Sequence, residues 1–452
     1  YEIASCLVGS EMCIRDRQLS DKMMMAVIIL TLSYVLLFTE KLNRAVVAIL
    51  GASLMIFAGV LTQESALAAV DFNTLALLIG MMTIVGIGEK SGMFQFVAIW
   101  SAQKVKARPR MLLMVLAVVT AVFSAFLDNV TTVLLMVPII FQVTRKLKVS
   151  PYPFLIMEIL ASNIGGTATL IGDPPNILIG SALGLSFMDF VYALTPVVAI
   201  TMVVLLLALD AIWGRKMESP DFLRNEVLQM EAAAVITDRA LMWKSLTVLI
   251  AVIGGFIAAE HYHIANGTIA MFGAAVLLIL YTAGSDNFER EHKIEQAFNL
   301  VDWTTIFFFA GLFALVFGLE EAGALTPLAD WFINMAEGSI KRATMIMLWL
   351  SAFASTLLGN IPFVATMIPL IKNVENALGG RDVIMPIWWA LSLGSCFGGN
   401  GSLIAASANV IVAGMANKEG VNISFVRFLL WALPTMVISV GIAAIYLHFR
   451  YF

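Results

Sequence analysis

Two polar segments interrupt apolar stretches that are otherwise long enough to cross a membrane. The segment 163–176 reads NIGGTATLIGDPPN, and its glycines and prolines cannot sustain a regular helix. The segment 128–132 reads DNVTT. Backbone groups freed by a helix break inside a bilayer must find partners in protein, water or ions. A broken helix at membrane depth therefore predicts a binding site.

The composition sets the class of protein. Sixty per cent of the 452 residues are apolar, 13 per cent are charged, and the mean hydropathy is +0.92. Continuous apolar runs of roughly 16 to 23 residues indicate transmembrane helices rather than the alternating strands of a barrel. The cysteines have no ligand spacing, the histidines are few and scattered, and no nucleophile, base and acid converge. We expect an all-α polytopic membrane protein that is neither an enzyme nor a nucleic-acid binder.

The second half of the chain repeats the first. The segment 128–138 is answered in the second half by 359–369, and 163–176 is answered by 396–409. Chance similarity between apolar helices would match leucines and valines. Here asparagines, glycines and prolines recur in the same order, which indicates a true internal repeat.

The repeat predicts the domain organisation. We expect an N-terminal tail at 1–22, a first repeat at 23–213, a cytoplasmic linker at 214–243 and a second repeat at 244–450. Each repeat is expected to hold five transmembrane helices, a re-entrant hairpin and a broken helix. Because five is odd, the second repeat is inverted relative to the first. Lys and Arg cluster on the side of 41–44 and the linker, which places that side in the cytoplasm.

The first seventeen residues do not fit this pattern. YEIASCLVGSEMCIRDR lacks the charged start and the cleavage site of a secretory signal. Its SCLVGSEMCIRDR string resembles a translated sequencing-adapter artefact. We therefore leave residues 1–17 out of the fold prediction and expect that a native N-terminal segment, including one more span, is missing.

The candidate binding residues lie at two hairpin tips and in two broken helices. They are Asp128, Asn129, Thr131, Thr132, Asn163, Gly165, Gly166, Thr167, Thr169, Asp173, Pro174, Asn176, Asn360, Pro362, Gly399, Asn400, Ser402, Ser407 and Asn409. Carbonyl, amide and hydroxyl oxygens suit a hard monovalent cation, whereas the helix N-termini after each break suit an anion. We expect Na+ at Asn129, Gly165, Asn360 and Gly399, with Na+, H+ or both as coupling ions and no other cofactor.

Carboxylates distinguish the two halves. Asp128 is matched by Gly359, and Asp173 by Ala406, so both acids belong to the first half alone. An ionisable group at membrane depth is costly, and a carboxylate that alternates between H+ and Na+ would couple the two ions. The alternative is that either acid merely caps a half-helix. Glu158 is expected either to line the cavity or to make a bond between helices.

Four segments carry a family resemblance. DNVTTVLLMVPI, GGTATLIGDPPN, GNIPFVATMIPL and GGNGSLIAASANV resemble the signature segments of the ion-transporter superfamily. The most similar branch is citrate-transporter-like and includes the melanosomal P protein, arsenite permease-like proteins and a sodium/proton antiporter group. The resemblance covers 23–450. It implies a scaffold from 23–88 and 244–318, a moving domain of hairpins and broken helices, a homodimer, elevator-like alternating access, and a prokaryotic inner membrane.

The residue types at the hairpin tips give information about the class of substrate. Sodium/dicarboxylate symporters of the superfamily carry neutral Ser-Asn-Thr at both tips, whereas this chain has Asp-Asn-Val and Gly-Asn-Ile. An acidic tip would repel a dianion unless Na+ or H+ neutralised it, and no Lys or Arg is expected near the motifs to compensate. These features favour Na+/H+ exchange. The alternatives are Na+- or H+-coupled transport of citrate, dicarboxylate or another small anion, arsenite export, and a channel-like protein.

Overall fold

The computed structural model describes residues 2–39, 41–375 and 377–452, and the regular structure in these residues is helical. The helices up to the linker are α1 (Glu2–Thr39), α2 (Arg44–Phe57), α3 (Gln63–Ala68), α4 (Phe72–Glu89), α5 (Met93–Lys104), α6 (Pro109–Phe126), α7 (Asn129–Leu147), α8 (Tyr152–Gly166), α9 (Pro174–Leu183) and α10 (Phe187–Ile212). The linker contains α11 (Asp221–Leu228) and two short 3-10 turns. The remaining helices are α12 (Arg239–Tyr262), α13 (Asn266–Thr282), α14 (Asn287–Phe298), α15 (Trp303–Glu321), α16 (Thr326–Ala336), α17 (Ile340–Leu358), α18 (Asn360–Glu375), α19 (Arg381–Gly398), α20 (Ser407–Lys418) and α21 (Phe425–Tyr451).

Within the described residues, eight helices are long and apolar enough to cross a membrane. These spans are Asp21–Thr39, Phe72–Glu89, Pro109–Phe126, Asn129–Leu147, Phe187–Lys216, Arg239–Ala259, Trp303–Glu321 and Phe425–Tyr451. The helices α2 and α13 are apolar but shorter. The prediction of an all-α integral membrane protein is confirmed.

Helical hairpins form at both predicted positions. The helices α6 and α7 pack against each other, with Leu127 and Asp128 in extended conformation at the tip. The helices α17 and α18 pack in the same way around Gly359. Gly359 has a φ of +85°, a left-handed conformation that glycine adopts without strain. This requirement explains why the counterpart of Asp128 carries no side chain.

One helix bundle, which we call the scaffold, packs α4 against α13 and α2 against α15, so that each pair joins the two halves. A Cβ atom on Gly80 of α4 would lie 2.5 Å from the backbone of Ala270 in α13. A Cβ atom on Gly311 of α15 would lie 2.7 Å from the backbone of Ala48 in α2. Gly80 and Gly311 occupy equivalent positions in the two repeats, so equivalent glycines permit equivalent close crossings.

A second bundle, which we call the transport bundle, contains the hairpins and the broken helices. A Cβ atom on Gly165 of α8 would lie 2.4 Å from the backbone of Ala121 in α6. A Cβ atom on Gly398 of α19 would lie 2.6 Å from the carbonyl oxygen of Ala352 in α17. The helices α10 and α21 pack against these pairs. The repeat in the sequence thus corresponds to repeated contacts in the fold.

The linker is shorter than expected. The sequence places its end at residue 243, but α12 begins at Arg239 because Asp238 accepts a hydrogen bond from the backbone N–H of Leu241 at 3.0 Å. The charges of Asp238 and Arg239 start a helix rather than extend a loop. The linker also packs on the bundle, since α11 contacts α7.

Candidate functional site

Asn176 holds the unwound segment between α8 and α9. Its amide nitrogen donates to the carbonyl oxygens of Thr167 at 3.1 Å and Thr169 at 2.8 Å. The Thr169 hydroxyl donates to the carbonyl oxygen of Ala125 near the hairpin tip. The broken helix is therefore fixed both internally and to the α6–α7 hairpin.

Asn409 does the same between α19 and α20. Its amide nitrogen donates to the carbonyl oxygens of Gly399 at 2.8 Å and Ser402 at 2.9 Å. The Ser402 hydroxyl donates to the carbonyl oxygen of Thr356 at 2.7 Å. The two bonds of Ser402 have counterparts at Thr169 in the first half, whereas Gly399 corresponds to Gly166 and not to Thr167. The two predicted broken helices therefore share most of their design.

The two broken helices are joined directly. The amide nitrogen of Asn163 donates to the side-chain oxygens of Asn400 at 2.9 Å and Asn409 at 3.0 Å. From the other side, the Ser392 hydroxyl donates to the side-chain oxygen of Asn176 at 2.6 Å. All five side chains are buried. A buried network of this kind holds the unwound backbone of both halves in one rigid unit.

Oxygen atoms crowd the α-carbon of Gly166. A Cβ atom placed there would lie 2.4 Å from the side-chain oxygen of Asn129, 2.7 Å from the carbonyl oxygen of Gly172 and 3.1 Å from the hydroxyl oxygen of Ser124. We call the group formed by Ser124, Asn129, Gly166 and Gly172 the Gly166 cradle. The Ser124 hydroxyl donates to the Asn129 oxygen at 2.5 Å, and the reversed Asn129 amide would donate to the Gly172 carbonyl oxygen at 3.1 Å. The cradle therefore presents its oxygens to an amide hydrogen or, with the amide oxygen turned inward, to a hard cation.

The predicted cation residues are not all brought together. Gly165 serves the α6–α8 crossing instead. A Cβ atom on Gly399 would lie 3.0 Å from the carbonyl oxygen of Cys396, and neither Asn360 nor Ser355 is among its near neighbours. The described residues therefore form an oxygen cradle in the first half and no equivalent one beside Gly399.

Asp128 caps a helix. Its carboxylate accepts from the backbone N–H of Thr131 at 2.9 Å and from the Thr131 hydroxyl at 2.6 Å. Asp302 makes the same pair of bonds with Thr305 at the start of α15. The capping alternative is thus correct for Asp128, although its side chain also lines the cavity described below.

Asp173 caps nothing, so the capping alternative is wrong for this residue. It precedes α9, whose first two residues are prolines and offer no N–H. One carboxylate oxygen accepts from the Asn360 amide at 3.2 Å. The other oxygen is buried and has no hydrogen-bond partner among the described residues. A carboxylate left half-satisfied in this way suits a cation or a proton.

A cavity of about 340 Å³ lies between the two bundles. Both hairpin tips and the first turns of α9 and α20 line it, together with residues of α4 and α15. It adjoins a second cavity of about 320 Å³ at Asn43, Arg44 and Asp302. The predicted tip residues therefore converge on one space, which continues toward the α2 end of the scaffold.

Sequence reasoning missed a cation at this site. Arg44 lies far from the motifs along the chain, yet its guanidinium donates to the Ser407 hydroxyl at 2.7 Å. The expectation that no Lys or Arg lies near the motifs is therefore wrong. Only the packing of α2 beside α15 and α20 brings Arg44 there, and no pattern in the sequence signals it.

The remaining predicted residues lie around this centre. Thr132 is buried, and its hydroxyl has no partner among the described side chains and backbone groups. The carbonyl oxygen of Pro362 accepts from the Tyr34 hydroxyl at 2.8 Å. Pro174 and Asn360 line the cavity. Glu158 faces α6 rather than the cavity, because it accepts from the Thr120 hydroxyl at 2.7 Å.

The comparisons with known proteins agree with this arrangement. The family model described as "Citrate transporter" (CitMHS) matches residues 34–394. An uncharacterized transporter of Mycobacterium bovis is 37% identical over 94% of this chain and 98% of its own length. The P protein of Homo sapiens is 32% identical over 92% of this chain, which spans 58% of that relative.

A solved structure shares the fold. The YdaH transporter of Alcanivorax borkumensis, whose topology is described as unusual, matches with a TM-score of 0.56 at 14% identity, over 86% of this chain and 88% of that one. The family match covers well over half of the sequence. The chain is a secondary transporter and belongs to the citrate transporter (CitMHS) family.

Proposed function

We propose that this transporter exchanges Na+ for H+. The Gly166 cradle carries the proposal, because three oxygens converge beside Gly166 with no side chain between them. Unwound carbonyls and side-chain oxygens are the ligands that transporters offer to Na+. The neighbouring Asp173 supplies a negative charge with one oxygen that has no partner among the described residues. Such a carboxylate can hold a cation or a proton, and the choice between them links the two ions.

Unequal contacts between the bundles support alternating access by an elevator motion. Asn73 of the scaffold donates to the Ser181 hydroxyl at 3.0 Å. Its counterpart Thr304 shares a cavity with Ser407. Ser407 is equivalent to Pro174, not to Ser181, which lies seven residues further along α9. Seven residues of helix span about 10 Å. In the alternate state Asn73 would lie beside Pro174 instead of Ser181. The transport bundle would then have moved by about 10 Å along the scaffold.

The orientation inferred from charge makes this an inward-facing state. Arg44 lies at the end of the scaffold assigned to the cytoplasm by the positive-inside rule. The cavity at the hairpin tips continues toward that end. The opposite end, where Asn73 meets Ser181, would close the site to the outside.

A second function, coupled transport of a small carboxylate such as citrate, is favoured by one observation. Arg44 places a guanidinium at the cavity mouth, beside the N-terminus of α20. Arginine recognises carboxylates through paired hydrogen bonds, and a helix N-terminus favours negative charge. The description of the family also names citrate. Na+ in the cradle, together with a proton on one of the two acids, would neutralise Asp128 and Asp173 before a dianion entered.

One assay separates the two functions. Purified protein is reconstituted in proteoliposomes with an imposed pH gradient, and Na+, Li+, K+, citrate and succinate are added separately. Na+ alone should dissipate the gradient if the protein exchanges Na+ for H+. Accumulation of labelled citrate or succinate that requires Na+ or H+ would instead support the carboxylate function. A steady ionic current without coupling would refute both.

A further inference from the structure

We propose that Glu158 is a proton-carrying residue of the transport bundle, separate from the cation cradle. The inference rests on the proposed exchange of Na+ for H+ and adds a proton site to it. Glu158 lies in the middle of α8 and is fully buried. One carboxylate oxygen accepts from Thr120, and the other has no partner among the described residues. A proton can occupy that second oxygen.

No charged group within the described parts of the surrounding helices compensates Glu158. The helices packed against α8 are α6, α7, α10, α19, α20 and α21. Their charged residues are Arg110, Arg145, Lys146, Asp189, Asp210, Arg381, Asp382, Lys418, Arg427, His448 and Arg450. Each of these lies in the first or last turn of its helix, as the helix bounds show. Glu158 is the one carboxyl or basic group in the middle of any of these described helices.

Several of those charged side chains interact with other residues instead. Asp210 pairs with Arg110, and the guanidinium of Arg427 lies over the ring of Tyr152. The acids that line the cavity are Asp128, which caps α7, Asp302, which caps α15, and Asp173, which meets Asn360. The Glu158 carboxyl therefore gains or loses its proton without a fixed counter-ion.

Packing alone does not require a carboxyl here. In the second half Leu391 occupies the position equivalent to Glu158. The equivalent of Thr120 is Ser351, whose hydroxyl turns to the Met347 carbonyl of its own helix at 2.6 Å. The pairs α6–α8 and α17–α19 cross alike at Gly165 and Gly398, so the same interface forms with and without the acid.

Glu158 is placed to sense the cradle. Thr120, its partner, precedes Ser124 by one turn of α6, and Ser124 lines the cradle. One turn of four residues advances about 6 Å along a helix. Unit charges about 6 to 10 Å apart in a protein interior alter each other's affinity by about 20- to 100-fold. Na+ in the cradle would therefore favour the deprotonated carboxylate, and a proton on Glu158 would disfavour Na+.

The test measures protons released when Na+ binds to the purified, full-length protein in weakly buffered detergent with a pH-sensitive dye. Na+ binding is followed separately by the shift in melting temperature. Glu158→Gln, which can still accept from Thr120, should bind Na+ but release about one proton fewer per Na+. Its apparent Na+ affinity should depend less steeply on pH than that of the wild type, because one of the carboxyl groups coupled to Na+ no longer takes up a proton. Thr120→Val, which keeps the carboxyl, should retain the release.

The outcomes are distinct. Proton release by Glu158→Gln equal to that of the wild type overturns the inference while the exchange stands. If Glu158→Gln fails to fold, Glu158→Asp decides: a displaced pH profile of Na+ affinity supports the inference, and an unchanged profile overturns it. Na+ binding to the wild type without any proton release refutes the exchange itself, and the role of Glu158 with it.

Discussion

Gly166→Ala tests whether the cradle binds Na+. The added Cβ atom would lie 2.4 Å from the Asn129 oxygen and 2.7 Å from the Gly172 carbonyl oxygen, so it would push both oxygens out of their present positions. Gly166 does not have a left-handed backbone, and alanine can adopt its conformation. The substitution therefore acts through space and not through backbone strain.

The expected effect follows from the crowding. Overpacking of this kind costs about 1 to 3 kcal/mol. The contacts at 2.4 and 2.7 Å exist without an ion, so part of that cost lowers the stability of the protein. The displacement of the oxygens should also lower the apparent Na+ affinity, by up to about 150-fold if the whole cost falls on the Na+-bound state. Gly399→Ala should have a weaker effect, because the nearest atom to its Cβ would be a carbonyl oxygen at 3.0 Å.

The measurement is the Na+ concentration that gives half-maximal dissipation of a pH gradient in proteoliposomes. Gly441→Ala in α21 is the control, since nothing described lies within 4 Å of its added Cβ. Alanine in a helix interior should raise its stability by about 0.5 to 1 kcal/mol and leave Na+ dependence alone. Gly166→Ala protein that folds and keeps the Na+ dependence of the wild type would refute the cradle as the Na+ site.

Three other experiments address the remaining proposals. Asp173→Asn should abolish Na+-dependent dissipation of the pH gradient, whereas Asp128→Asn should be milder because asparagine still caps α7; equal loss in both would contradict the distinction. Arg44→Gln should lower uptake of labelled citrate about tenfold if Arg44 contacts the carboxylate, and Arg44→Lys should lose less; uptake by Arg44→Gln at the level of the wild type would remove Arg44 from recognition. A disulfide between Asn73→Cys and Ser181→Cys should arrest transport until it is reduced, and undiminished transport by the cross-linked protein would argue against the elevator motion.

The sequence predicted the fold well because individual residues determine where helices cross closely and where they unwind. Glycines at equivalent positions of the two halves permit the same close crossings, and Asn176 and Asn409 bind the equivalent carbonyl oxygens of Thr169 and Ser402. The lengths of the apolar runs located the long membrane-spanning helices. The end of the linker was less predictable, since a charged pair such as Asp238 and Arg239 can belong to a loop or begin a helix.

The site was predicted in its parts but not in its pairings. The motif residues do meet at one cavity, yet the roles of Asp128 and Asp173 depend on which backbone N–H groups follow them. Two prolines after Asp173 remove its capping partners, a signal that the sequence did contain. Arg44 reaches Ser407 only through packing between distant helices, and such contacts between non-repeated positions leave no pattern in a single sequence.

The asymmetry between the halves gives a reason why a repeated fold would bind one cation rather than two. Both halves contain the same unwound helices, so the fold alone would offer two equivalent sites. Asp173 is replaced by Ala406, and Glu158 by Leu391. Beside Gly399 the Asn360 amide is drawn instead toward Asp173, across the interface between halves. The second half thus supplies a hydrogen-bond donor to the acid of the first, so Asn360 is not placed beside Gly399 in the way that Asn129 is placed beside Gly166.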